Sequence, residues 1–190
     1  HHALEDIAIM RSLPDMTVLC PGDPIETREL IKRSYEYEGP VYIRLGKNGE
    51  PKIHPDETRI EIGKSITVLE GNDLALITTS NMLETGKKWV EEWKQDGVNV
   101  SLISMPSLKP FDSSTVKNLI DKEIPIITLE EHSVIGGLGS IISQVIATTG
   151  KPVKFQQIGI NDKFSHVIGG HEFQRKKFML DKKPSLKFIE

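Results

Sequence analysis

One cysteine, Cys20, in 190 residues leaves no internal disulfide possible, and a disulfide-free chain suits a reducing compartment, so the expected location is cytoplasmic. Excess charge is missing as well. Lys plus Arg number 24 against 27 Asp plus Glu, a net charge of -3, which supplies no electrostatic reason to bind a polyanion and removes nucleic acid from the expected partners. Long apolar runs are absent: Val134–Ile146 is interrupted by Gly, Ser and Gln and falls short of the roughly 20 residues of a membrane span, so no membrane is expected either. His54, His166 and His171 lack metal-like spacing. The sequence does not open with Met, no signal peptide is expected, and the first residues run straight into a helical pattern, as if the chain started inside a domain.

What remains is ordinary globular composition, 37% hydrophobic and 27% charged, with hydrophobic periodicity that alternates between strand and helix. A first helix stops at Pro14. Met16–Cys20, a continuous apolar run closed by Pro21, reads as a strand buried on both faces of a parallel sheet. Asp23 then offers a cap, Pro24 a first helical residue and Glu26 a variant capping box, so a helix is expected from Pro24 to near Gly39-Pro40, followed by strand Val41–Leu45. Between about residues 46 and 65 the periodicity fails and Gly, Pro and charge accumulate, which sets a linker there, with a hairpin expected where Ile60–Ile62 and Ile66–Leu69 flank Gly63-Lys64.

The rest repeats strand and helix: strand Ala75–Thr79, helix Met82–Gln95, strand Val98–Ser104, helix Ser113–Lys122, strand Pro125–Leu129, helix Leu138–Thr149 and strand Val153–Ile158. Strands separated by helices of this length imply right-handed crossovers and an α/β layered sheet. The tail beyond Phe164 carries Arg175, Lys176, Lys177, Lys182 and Lys183 and one short helix, and its charge reads as a solvated surface.

Few residues suggest chemistry. Gly136-Gly137-Leu138-Gly139-Ser140 opens a helix after a strand, a context for phosphate binding, and Asp162 resembles the ribose-binding acid of a dinucleotide fold. The G-x-G-x-x-G spacing fails, because Ile142 stands where the third glycine belongs, so close packing of the helix is the preferred reading. Glu130-Glu131-His132, at a predicted strand end, is either an acid–base pair or a loop whose acids cap the next helix; capping is preferred because no nucleophile lies nearby in sequence. Cys20 reads as core rather than nucleophile, and Trp89 and Trp93, one turn apart, as core or an interface patch. His1-His2 reads as the remnant of a purification tag or as native sequence.

The run His1-His2-Ala3-Leu4-Glu5-Asp6-Ile7-Ala8, then Arg11-Ser12-Leu13-Pro14-Asp15-Met16, Pro21-Gly22-Asp23 and Glu26, resembles the later half of the pyrimidine-binding domain of transketolases. That family shows a Thr-His-His or Thr-His-Gln segment before the same helix, an Arg-x-(Leu/Ile)-Pro-(Asn/Asp)-Met stop and a Pro-x-Asp helix start. Thr128-Leu129-Glu130-Glu131-His132-Ser133-Val134-Ile135-Gly136-Gly137-Leu138-Gly139 is similar to the C-terminal domain of transketolases and of 1-deoxy-D-xylulose-5-phosphate synthases. The resemblance implies an α/β fold in which a truncated pyrimidine-binding remnant, residues 1–45, precedes a linker, 46–65, and a complete C-terminal domain, 66–190, with a mostly parallel sheet. It also implies that His1 is native.

As the resemblance has it, His1 lines the cofactor and substrate channel in a catalytic role, His2 is a further substrate-binding candidate, and Arg44 binds the sugar phosphate. An exposed pair of Arg44 with Glu50 is the competing reading. The complete enzyme would use thiamine diphosphate and a divalent metal (Mg) to move a two-carbon ketol unit between sugar phosphates. The groups that activate the cofactor and ligate its diphosphate and metal lie outside these residues, so the chain alone is expected to be inactive, to bind neither cofactor nor metal, to need a missing N-terminal part or subunit, and to form a homodimer. Leu45-Gly46-Lys47 departs from the Arg-Tyr-Pro-Arg-Gly pattern of the deoxyxylulose phosphate synthases. That synthase activity, or a non-catalytic assembly module, is the alternative.

Overall fold

The computed structural model describes residues 4–47, 49–166 and 168–188. A short helix, α1 (Asp6–Ser12), leads to β1 (Thr17–Leu19), then α2 (Pro24–Ser34) and β2 (Val41–Ile43). The starting signals of α2 act as the sequence implies: Pro24 takes the first turn and the Glu26 N–H donates to Asp23 Oδ1 at 2.8 Å, satisfying one of the donors a helix leaves open at its start. Thr17, Val18 and Leu19 are all buried. β1 pairs in parallel with β2, Thr17 opposite Val41, which brings Arg44 to the C-terminal end of β2.

Residues 66–160 carry β3 (Ile66–Leu69), β4 (Leu74–Thr78), α3 (Leu83–Gln95), β5 (Val100–Ser104), β6 (Ser107–Lys109), α4 (Ser113–Asp121), β7 (Ile126–Ser133), α5 (Leu138–Thr149) and β8 (Phe155–Ile160). A last helix, α6 (His171–Lys177), lies in the tail. Five strands form one sheet in the order β3-β5-β4-β7-β8, parallel except for β3 at its edge. The other sheet has the order β2-β1-β6, with β6 antiparallel to β1.

Successive residues of the central strands serve opposite faces, as the period of two requires. Ala75, Ile77, Ile103 and Ile126 pack with α4, α5, Ile7 and Val18, whereas Leu74, Leu76, Leu102 and Ile127 pack with Trp89 and Trp93 of α3 and Leu180 of the tail. The tryptophans are core, 2% exposed, with their rings edge to face at 6.1 Å. Helix α5 ends where Gly150 adopts φ +67, a left-handed stop open to glycine at little cost.

Several expectations change, and α2 stops at Ser34, short of the expected Gly39. Ile60–Ile62 makes no hairpin with Ile66–Leu69: Ile60 is fully buried among Leu19, Ile25 and Leu30, and Ile66–Leu69 pairs with β5 instead. Burial under α2 outweighs a two-stranded ribbon that would leave both isoleucines half wet. Strand β7 runs on to Ser133, four residues past the expected Leu129, because Glu130 and His132 are themselves buried. Finally, the basic tail is only partly solvated. Lys176, Lys177 and Lys182 are exposed, but Arg175 pairs with Glu131, and Lys183 donates to Asp96 at 2.8 Å with its ammonium 5.9 Å from the centre of the Trp93 ring.

Candidate functional site

The C-terminal ends of β2 and β7 and the start of α1 converge on one cluster of polar side chains. Arg44 Nε stands 3.2 Å from Asp6 Oδ2, and Arg44 Nη1 donates to the Glu131 carbonyl at 3.0 Å. The hydroxyl of Tyr42 donates to the same Asp6 oxygen at 2.7 Å. Burial and the bond to Asp6 push the Tyr42 phenol up to about 12, so it remains a donor. Asp6 is thus an ion-pair partner of Arg44 that the sequence reading did not single out. His1 and His2 lie outside the described residues.

Glu130, fully buried, accepts from the Leu138 N–H at 2.7 Å and the Gly139 N–H at 2.9 Å. A carboxylate of the chain itself therefore fills the helix N-terminus that would otherwise be open to a phosphate. The glycines permit that approach: a Cβ on Gly137 would stand 1.9 Å from Glu130 Oε2, and one on Gly139 2.7 Å from Gln157 Oε1. The segment is packing, and the capping reading of Glu130 holds, though from a strand rather than a loop. Burial raises the Glu130 carboxyl to about 7 against the pull of the two amides, Arg44 and Arg11. Arg11, whose own pKa burial lowers, donates to the Gly136 carbonyl and ties α1 to the start of α5.

His132 is also fully buried, and its Nδ1 donates to the Ser133 carbonyl at 2.7 Å. Burial lowers its pKa, which keeps the imidazole neutral and sealed from substrate. Glu131 turns the other way, toward the tail, where His171 Nε2 lies 2.7 Å and Arg175 Nη2 3.0 Å from its carboxylate. His132 Nδ1 lies 3.8 Å from Glu130 Oε2, but both side chains are fully buried, so within the triplet Glu130 caps α5, His132 packs in the core and Glu131 tethers the tail. Cys20 is buried, and loss of solvent pushes its thiol up to about 12, which rules out a ready nucleophile.

A second cluster joins distant residues. Asp23 Oδ2 accepts from the backbone N–H groups of Ile53 and His54 at 2.9 and 2.8 Å, while His54 Nδ1 lies 3.2 Å from Asp23 Oδ2 and Nε2 lies 3.6 Å from Glu26 Oε1. The three are 2%, 0% and 3% exposed for Asp23, Glu26 and His54. Their ligand atoms fall within 4.8 Å of one another, but the imidazole stands between the carboxylates, one ring nitrogen toward each. Glu26 is further held by the Gly22 N–H and the Ser104 hydroxyl. The imidazole lies within ion-pair distance of both carboxylates, although neither ring nitrogen makes a hydrogen bond among the described residues. Burial would raise Asp23, yet the bonds from His54, Glu26 and Ile53 outweigh it and hold the carboxyl at about 2. Burial raises Glu26 to about 7. For His54 burial pulls down, and the two carboxylates more than reverse it, so its pKa is raised.

Beside this cluster a cavity of about 340 Å³ opens between α2 and the end of β2, lined by Gly22, Asp23, Thr27, Arg28, Leu45 and Glu50 among others. It lies on the side of the fold to which parallel strands deliver ligand-binding groups. A larger one, about 680 Å³, lies at the opposite strand ends, against Pro125 and Lys154. No described helix is long and apolar enough to cross a membrane.

Beyond the α/β fold with its mostly parallel five-stranded sheet, family models covering most of the sequence show that the chain belongs to the transketolase family. Residues 1–51 match the model for the transketolase pyrimidine-binding domain, and residues 63–182 the model for the transketolase C-terminal domain. More particularly, the chain is 37% identical over 166 residues to a putative transketolase C-terminal section of Methanocaldococcus jannaschii, covering 86% of this chain and 52% of that protein. It is 31% identical to one subunit of an apulose-4-phosphate transketolase of Actinobacillus succinogenes, covering 95% and 58%. A solved structure described as a split gene transketolase, inactive β4 tetramer, superposes with a TM-score of 0.88 at 34% identity, covering 94% of this chain and 58% of that one. The chain spans little more than half the length of these relatives.

Proposed function

We propose that this chain is the C-terminal portion of a thiamine-diphosphate-dependent transketolase that transfers a two-carbon ketol unit between sugar phosphates. Residues 1–45 complete a pyrimidine-binding domain, residues 66–190 form the C-terminal domain, and an N-terminal part or subunit is the partner. The observation that carries the reading is the coincidence of both family matches on one chain with Arg44 at the C-terminal end of the parallel strand β2.

Arg44 is assigned the substrate phosphate, which a planar guanidinium binds through two parallel charge-assisted hydrogen bonds. The described residues do not suit the cofactor itself. Glu26, Glu130 and Asp23, the buried carboxylates nearest the strand ends, each accept N–H or O–H donors of the chain. Asp6, the other buried carboxylate there, is engaged through Oδ2 by Arg44 and Tyr42, so we assign thiamine diphosphate and Mg to the partner. Leu45-Gly46-Lys47 favours a transketolase over a deoxyxylulose phosphate synthase.

The test combines the chain with its N-terminal part or subunit, thiamine diphosphate and Mg, and follows ketol transfer. Activity is expected in the assembly and not with the chain alone. Arg44→Ala should lower kcat/KM for erythrose 4-phosphate by roughly one to two orders of magnitude, about 1.5–3 kcal/mol for a charge-assisted contact, and leave erythrose little changed. An equal loss on both would remove the phosphate role. Turnover by the isolated chain would remove the need for a partner, and deoxyxylulose phosphate as the product would replace the transketolase assignment.

A further inference from the structure

Arg44 is held in place before any substrate arrives. Its Nε faces Asp6 Oδ2 at 3.2 Å, and Tyr42, two residues earlier and therefore on the same face of an extended chain, donates its hydroxyl to that same oxygen at 2.7 Å. Asp6 opens α1, and the next residue, Ile7, is fully buried in the core. The carboxylate is thus mounted on a packed helix, and the tyrosine on a strand paired with β1.

Two features argue that Asp6 is more than a structural tie. A carboxylate in the first turn of a helix ordinarily serves the open N–H groups there, yet Asp6 is turned to Tyr42 and Arg44, and no side chain caps α1 from Glu5. In addition, its second oxygen, Oδ1, is buried with no hydrogen-bond partner among the described residues. Buried acceptors in a purely structural role are normally satisfied.

We propose that Asp6 is the positioning residue of the substrate phosphate site: it fixes the plane of the Arg44 guanidinium, with Tyr42 fixing Asp6 in turn. The inference rests on the assignment of Arg44 to the phosphate. A long flexible cation loses rotamer freedom when it closes on a phosphate. A guanidinium already held through Nε has given up that freedom during folding, so binding is tighter. Sharing the Asp6 charge with the Tyr42 hydroxyl tempers the repulsion that a bare carboxylate would exert on an incoming phosphate.

The test uses the assembled holoenzyme with erythrose 4-phosphate and erythrose as paired acceptors, and compares Asp6→Ala, Asp6→Asn, Tyr42→Phe, Arg44→Ala and the double variant Asp6→Ala/Arg44→Ala. Asp6→Ala should raise KM for erythrose 4-phosphate by roughly 2- to 12-fold, the range set by immobilising one flexible side chain. kcat and the kinetics with erythrose should be retained. Asp6→Asn, whose amide oxygen can still accept from Nε, should recover most of the loss. On the Arg44→Ala background the Asp6 change should add nothing, the signature of a residue that acts only through its neighbour.

Equal effects on both acceptors, or an additive double variant, would overturn the proposal. Should Asp6→Ala lose its cooperative melt, Tyr42→Phe carries the same comparison, since it keeps the ring and removes only the hydrogen bond. A phosphate-selective loss supports the proposal, and an unselective one or none overturns it. An Arg44→Ala variant indifferent to phosphate would instead overturn the assignment of Arg44, and this proposal with it. That pattern differs from a phosphate-selective Arg44→Ala beside a silent Asp6→Ala.

Discussion

Asp23 and His54 stand 31 residues apart in the chain, yet Asp23 Oδ2 receives the His54 amide at 2.8 Å and faces its imidazole Nδ1 at 3.2 Å. One carboxylate thereby caps α2 and anchors a connecting segment that has no regular structure of its own around it. The anchor works by charge, and charge depends on pH.

Because the folded pKa of His54 is raised, its contribution is fully present below the unfolded value of 6.5 and is lost as pH rises through the folded value. Glu26, raised from 4.5 to about 7, acts in the same direction: the folded state keeps a proton that the unfolded state has released, so stability falls between those values. Asp23, held at about 2 against 3.8, contributes above 3.8, and that contribution disappears as pH falls toward 2. Urea titrations should show stability declining as pH rises from 4.5 to about 7 with Glu26, and declining further above 6.5 with His54. His54→Gln should flatten the upper part of that slope, and Glu26→Gln the lower. A variant with the wild-type slope would exclude the residue concerned.

Gly137→Ala should destabilise the chain by about 2–4 kcal/mol. The new Cβ would occupy the place of Glu130 Oε2, driving a buried carboxylate off the two amides it caps. Glu130→Gln keeps an acceptor and should lose only about 1 kcal/mol. Chemical denaturation of the two variants checks the order, and a harmless Gly137→Ala would show that the carboxylate has somewhere else to go.

How far the sequence spoke for itself depended on whether a signal was local. Asp23-Pro24 announced the start of α2, and Gly150 the end of α5, because caps and left-handed stops are written within a few residues of the feature they create. Strand β6 left no such mark: Ser107, Leu108 and Lys109 lie between Pro106 and Pro110 with no periodicity to read, and they form a strand only because β1 offers an edge. The same holds for the site. Arg44 stood out by resemblance, but its partner Asp6 is 38 residues earlier, and no rule of spacing joins a helix start to a strand end.

Glu131→Ala should free the tail. His171 and Arg175 would lose their shared carboxylate, weakening α6 locally by on the order of 1 kcal/mol. Limited proteolysis should then cut near residues 171–177 several-fold faster while the main melting transition stays in place. Unchanged cleavage would indicate that the remaining contacts, Leu180 buried beside Trp93 and Lys183 on Asp96, hold the tail without Glu131.

Self-association is expected of the chain in solution, two-fold dimers being the commonest closed assembly. Light scattering at tens of micromolar should return at least twice the chain mass of 21.3 kDa. A strictly monomeric mass would mean that the contacts needed for pairing come from the N-terminal partner.

Strand β6 has a mechanical consequence. It completes the sheet begun by β1 and β2, while the Cys20 N–H donates to Pro106, the Ser80 N–H to Cys20 and the Met105 N–H to Thr78. Backbone hydrogen bonds therefore link the two sheets at their junction. A truncation ending at residue 45 would strip β1 of a neighbour, and one beginning at residue 66 would leave β6 with nothing to pair against. Fragments cut in the intervening segment would have to be produced together and would find each other by complementation.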